Sequence, residues 1–98
     1  MRTEKDSMGE MQVADEALYG ASTQRAVLNF PISGQPMPPA FIHGLALVKG
    51  AAAKSNRNLG KLSKEKADLI DQVVQEILEG KLDDHFPVDV FQTGSGTS

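Results

Sequence analysis

Cysteine and tryptophan are absent from these 98 residues, and tyrosine occurs once. Without cysteine there are no disulfides, no thiolate metal sites and no cysteine nucleophile. Small secreted domains often depend on disulfides, so their absence favours a reducing compartment. No apolar run approaches membrane-spanning length, and Met1–Glu10 is polar and charged, unlike a signal peptide. A soluble, cytoplasmic protein without a membrane partner is the expectation. No arginine-rich stripe or basic face occurs. The densest basic cluster is Lys61, Lys64 and Lys66, and the net charge is -3, so nucleic acid is not an expected partner. Aromatics are scarce, whereas a small self-contained core usually leans on them. That scarcity hints that the core belongs to something larger.

What is present suits a globular chain of at most one small domain. Hydrophobic residues make up 40% and charged residues 23%. Residues 1–20 read as extended, with a short hairpin turning near Met8–Gly9. Such a hairpin needs a partner surface. Residues 22–30 read as a short helix, with Ser22 or Thr23 as its cap and Pro31 as its stop. Pro31–Pro39 holds four of the five prolines and reads as an ordered connector. Residues 39–59 form a strong helix, led in by Pro38 and Pro39 and ended by Gly60. Its apolar stripe is Phe41, Leu45, Val48 and Ala52, with Ile42 beside it. Gly44, Gly50 and the run Ala51–Ala53 read as points where another helix can approach closely. Residues 63–79 form a second strong helix, capped by Ser63 and ended by Gly80. Its capping box is incomplete because Lys66 holds the third position. Its stripe is Ile70, Val73, Val74, Ile77 and Leu78. The Gly60–Leu62 link is short enough for an antiparallel helix pair. The fold class is therefore mainly α, with a short N-terminal hairpin.

Among residues able to carry chemistry, the run Gln92-Thr93-Gly94-Ser95-Gly96-Thr97-Ser98 stands out. Glycines let backbone N–H groups approach a ligand, and adjacent hydroxyls donate hydrogen bonds, a combination suited to a carboxylate or phosphate. Composition alone favours a Gly/Ser linker instead. The run is not a P-loop, since the Gly-Lys-Ser/Thr ending is missing. His43 has no acidic or histidine neighbour at ligand spacing. His85 follows Asp83 and Asp84, a cluster able to bind a cation weakly. A structural role is favoured for both histidines, because metal sites need several convergent ligands. The acidic pairs Asp15–Glu16 and Asp83–Asp84 read as solvated loops. Arg25 can pair with a ligand carboxylate or with an acid of its own fold, and the second is favoured.

Four stretches in order resemble a known family. Arg2-x-Glu4-x-Asp6-x-x-Gly9 and Leu18-Tyr19-Gly20-Ala21-x-Thr23-x-Arg25 resemble the opening of the fumarase and aspartase superfamily. Leu47-x-Lys49-x-Ala51-Ala52-Ala53 resembles its first long helix. Gly80-x-x-Asp83-Asp84-x-Phe86-Pro87 then leads to Gln92-Thr93-Gly94-Ser95-Gly96-Thr97, the form similar to class II fumarases. Aspartate ammonia-lyases typically carry Gly-Gly-Ala-Gly-Thr there. Two residues depart from the pattern: Ala14 replaces the usual proline and Ser22 the usual glutamine. Both bear on local loop geometry more than on chemistry.

The resemblance implies the N-terminal lyase domain of the fumarase/aspartase fold over residues 1–98, truncated before a central helical bundle and a C-terminal domain. It implies a parent enzyme that reversibly hydrates fumarate to L-malate in the tricarboxylic acid cycle, as a homotetramer with sites shared between subunits. Neither a cofactor nor a metal is implied. Ser95 and Thr97 are expected to donate hydrogen bonds to the substrate, and Gly96 to permit its close approach. Thr93 and Gly94 are expected to shape the loop. No catalytic residue is expected here, since the family's serine base and threonine–histidine acid pair lie downstream. His43 and His85 do not match that histidine. The isolated chain is expected to be inactive and, with its apolar stripes exposed, to self-associate. The alternatives are an aspartate ammonia-lyase of the same superfamily and a non-catalytic helical interaction module.

Overall fold

A computed structural model of the chain describes residues 1–96. They form two compact units, one made of residues 1–37 and 84 onwards, the other of Pro38–Asp83.

In the first unit, β1 (Arg2–Asp6) pairs antiparallel with β2 (Gly9–Val13), in a register that sets Arg2 opposite Val13 and Asp6 opposite Gly9. The turn is made by Asp6, whose Oδ1 accepts the Met8 N–H at 2.9 Å, and by Gly9 at φ 118°. That backbone angle disfavours a side chain. The partner surface that a lone hairpin needs is α1 (Ala21–Asn29), which packs on both strands. Val13 is fully buried, joined by Ala17, Ala21 and Ala26. Burying a valine stabilises by roughly 1.5–3 kcal/mol, so Val13 is the principal apolar anchor of this small core.

The expected cap of α1 needs correction. Gly20 is the N-cap, in extended conformation, and no side chain caps the helix. Ser22 lies within the first turn, where its hydroxyl donates to Asp6 Oδ2 at 3.4 Å. The proline-rich connector is ordered, as expected. Pro36 bridges Asp89, Met37 N–H donates to Val88 O at 3.1 Å, and Val90 N–H donates to Gln35 O at 3.0 Å.

The second unit is a helical hairpin of α2 (Pro39–Asn58) and α3 (Lys64–Leu78). Pro39 occupies the first turn of α2, where a missing N–H leaves no bond unmade. Both helices end alike. Gly60 N–H donates to Arg57 O and Lys61 N–H to Asn56 O; Gly80 N–H donates to Ile77 O and Lys81 N–H to Glu76 O. These are paired Schellman bonds, each built on a glycine at positive φ, 74° and 80°. Ser63 Oγ accepts the Lys66 N–H at 3.2 Å, so the cap forms without a complete capping box.

The face that α2 turns to α3 differs from the expected stripe. Ala46 and Ala53 are its buried residues, and a Cβ built on Gly50 would stand 3.4 Å from Val74 Cγ1. Phe41, Leu45 and Val48 are 48–65% exposed. On α3 the buried residues are Ala67 and Val74, with Ile77 and Leu78 half-buried and Val73 exposed. Small residues let the two backbones approach closely, and that contact takes precedence over the larger side chains. No helix among the described residues is long and apolar enough to cross a membrane.

Candidate functional site

The opening motif turns out to be a frame. Arg2 Nη1 donates to Ala14 O at 2.7 Å and Asp15 O at 3.0 Å, Nη2 donates to Tyr19 O at 2.8 Å, and Nε pairs with Glu4 at 2.7 Å. Ala14 contributes only its carbonyl, which any residue supplies, so its departure from the family pattern leaves this clamp intact. Arg25 binds Asp6 through Nε and Nη2 at 3.1 and 2.9 Å, and Nη2 also reaches Gly9 O at 3.2 Å. Its partner is thus an acid of its own fold. The guanidinium of Arg25 holds the Asp6 carboxyl below its ordinary range.

The histidines also serve structure. His85 Nδ1 accepts the Leu18 N–H at 3.1 Å, which leaves the neutral ring's proton on Nε2. His43 Nε2 lies 3.4 Å from Asp83 Oδ1, an acidic neighbour that sequence spacing did not reveal. Asp83 and Asp84 are exposed, in a 3-10 turn at Asp83–His85. Among the described residues, no group of three or more acidic or histidine side chains is placed to hold a metal ion.

The C-terminal loop begins on a buried acid. Asp89 is 6% exposed and is the buried charged residue of the described chain. Its Oδ2 accepts the N–H groups of Ser33 at 2.9 Å and Gly34 at 3.0 Å, and its Oδ1 accepts the Phe91 N–H at 2.9 Å. Ser33 Oγ reaches both oxygens, at 2.9 and 3.0 Å. The Phe91 N–H, then the donors of Ser33 and Gly34, hold this carboxyl below its ordinary range against the opposing effect of burial. Sequence reading passed over Asp89. The available signal was a lone acid inside the apolar stretch Phe86–Val90, since unpaired acids are almost never buried.

From this anchor the loop folds on itself. Gln92 N–H donates to Asp89 O at 3.0 Å, and Gln92 Oε1 accepts the Gly94 N–H at 2.6 Å. Thr93 Oγ1 accepts the Ser95 N–H at 3.2 Å and lies 2.9 Å from Ser95 Oγ. Gly94 and Gly96 take φ of 80° and 83°. Thr93 and Gly94 thus shape the loop, as expected. Ser95 and Gly96 are exposed. Thr97, the third residue assigned to substrate binding, lies outside the described residues. The result is an ordered loop with two positive-φ glycines and a hydroxyl pair, rather than a featureless linker. The Gly94 and Ser95 N–H groups are thus bonded within the loop, to Gln92 Oε1 and Thr93 Oγ1.

A family model described as "Lyase" matches residues 9–98. The chain belongs to this lyase family. Among the relatives of this lyase chain, the class II fumarate hydratase of Halobacterium salinarum is 57% identical over 97 residues, covering 99% of the chain and 21% of that protein. A class II fumarate hydratase of Mycobacterium tuberculosis is 56% identical over 97 residues, covering 99% and 20%. The crystal structure of class II fumarase from Schistosoma mansoni superposes with a TM-score of 0.93 at 38% identity, covering 98% of this chain and 20% of that one. The lyase chain thus spans about a fifth of the length of the relatives it matches. The hairpin, helix pair and connector are those of fumarase-type lyases, as the resemblance implied.

Proposed function

We propose that this lyase chain supplies the N-terminal domain portion of a class II fumarate hydratase, residues 1–98, and contributes a loop that binds a substrate carboxylate. The reaction is the reversible hydration of fumarate to L-malate in the tricarboxylic acid cycle, in a cytoplasmic homotetramer. The observation that carries this reading is the folded Gln92–Gly96 loop within a chain 57% identical to a class II fumarate hydratase across its length. Ser95 and Thr97 donate hydroxyl hydrogen bonds to the carboxylate, and Gly96 lets the substrate approach the backbone. In the hydration step negative charge develops on that carboxylate, and pre-aimed donors stabilise it without reorganising. The relatives named above are hydratases, so the ammonia-lyase reading has no observation in its favour.

The test is a transplant. This chain replaces the matched segment of the Halobacterium salinarum enzyme, and loss of fumarate absorbance is followed. Hydration close to the parental rate is the expected result, with no ammonia addition. A correctly assembled chimera without hydratase activity would overturn the reading. The 98-residue chain by itself is expected to show no turnover.

A further inference from the structure

We propose that Asp89 is a positioning residue for the carboxylate-binding loop: its two oxygens tie the Ser33–Gly34 turn to the first residues of that loop and so set where Ser95 and Gly96 stand. The kinetic part of this inference rests on the hydratase reading, whereas its geometric part does not. The two oxygens do different work. Oδ2 receives two backbone N–H groups from the connector side, and Oδ1 receives the single N–H of Phe91 on the loop side. The Asp89 carbonyl adds the Gln92 N–H, and Gln92 in turn holds Gly94. One residue therefore begins an unbroken chain of bonds running into the loop. The charge is met by donors on all sides, so it supports the loop without presenting an anion to an incoming carboxylate.

The division of labour makes Asp89→Asn informative. An amide has one acceptor oxygen. Two N–H groups converge on the Oδ2 position, so the amide oxygen settles there and the NH2 faces the Phe91 N–H, donor against donor. The connector side stays tied and the Phe91 bond on the loop side is lost, leaving only the Asp89 carbonyl to hold Gln92. Ser33→Ala is the complementary control, since it removes a hydroxyl but leaves all three backbone donors on the carboxylate.

In the 98-residue chain, Asp89→Asn is expected to speed hydrogen exchange at the Phe91 amide and to shift the Gly94 and Gly96 amide resonances, with Ser33→Ala leaving those glycines in place. In the chimeric hydratase, Asp89→Asn is expected to lower kcat/KM about tenfold, as for one lost buried hydrogen bond, mostly through KM. Ser33→Ala is expected to stay within about twofold. Unchanged glycine resonances and Phe91 protection in Asp89→Asn would overturn the proposal, as would equal kinetic effects of the two variants. An inactive unsubstituted chimera would count against the hydratase reading alone, because the exchange and resonance measurements need no activity.

Discussion

Arg25 of α1 donates two hydrogen bonds, of 2.9 and 3.1 Å, to the carboxylate of Asp6, the last residue of β1. The same carboxylate accepts the Met8 N–H that makes the hairpin turn. One acid thus shapes the turn and fastens the helix to it. Removing the guanidinium in Arg25→Ala should loosen both. The expected result is a lower Tm and faster amide exchange across β1 and β2, with α2 and α3 unaffected.

Acid should expose the same dependence. Asp6 and Asp89 both have native pKa values below the ordinary 3.8, the first through Arg25 and the second through the Phe91, Ser33 and Gly34 donors. A depressed native pKa contributes stability that is complete above the unfolded value and is lost as pH falls through the native one. Tm should therefore be flat from about pH 6 to about pH 4 and fall below that. In Asp6→Asn the acid decline should be shallower. An unaltered decline would show that other carboxylates govern it.

Gly50 offers a test of the α2–α3 contact with opposite signs. A Cβ there meets Val74 Cγ1 at 3.4 Å, an ordinary contact, while alanine improves helix propensity by about 1 kcal/mol. Gly50→Ala should stabilise the chain by up to about 1 kcal/mol in urea unfolding. Gly50→Leu should destabilise it by about 1–3 kcal/mol, because the helices must separate.

Ser63 caps α3 through the Lys66 N–H. Ser63→Ala should destabilise by about 1 kcal/mol, and Ser63→Asp should retain the cap. Equal loss in both variants would show that the hydroxyl, rather than its role as acceptor, is required.

Ser95 is exposed and its N–H is held by Thr93. In the chimeric hydratase, Ser95→Ala should lower kcat/KM by about 10- to 100-fold, as expected for a lost bond to a charged group. The Tm should be unchanged. Activity within twofold of the unsubstituted chimera (about the scatter of such comparisons) would remove Ser95 from the binding role.

Much of the fold was legible in the residues because its signals are local. Pro31, Pro39, Ser63, Gly60 and Gly80 act on bonds a few residues away, and the helices fall within one residue of the expected limits. The cap of α1 differs from expectation because the helix starts at Ala21, which sets Ser22 inside the first turn with its hydroxyl donating to Asp6 of another element. The loop was legible as an anion-binding candidate from its glycines and hydroxyls, but its buried anchor was not. Asp89 meets Ser33 from 56 residues away, and no periodicity reports such a pairing.

By itself, then, the sequence determined the hairpin, the three helices, their stops and the family, since capping, backbone freedom and motif order are written in neighbouring residues. Tertiary structure alone decided three matters. It chose Ala46, Gly50 and Ala53 over Phe41, Leu45 and Val48 as the face of α2 that meets α3. It gave Arg25 its partner, and it set Asp89 beneath the loop. The physical reason is common to all three. An apolar stripe or a charge declares what a residue can bury or bind, whereas the partner is selected by which backbones can approach closely enough to satisfy it.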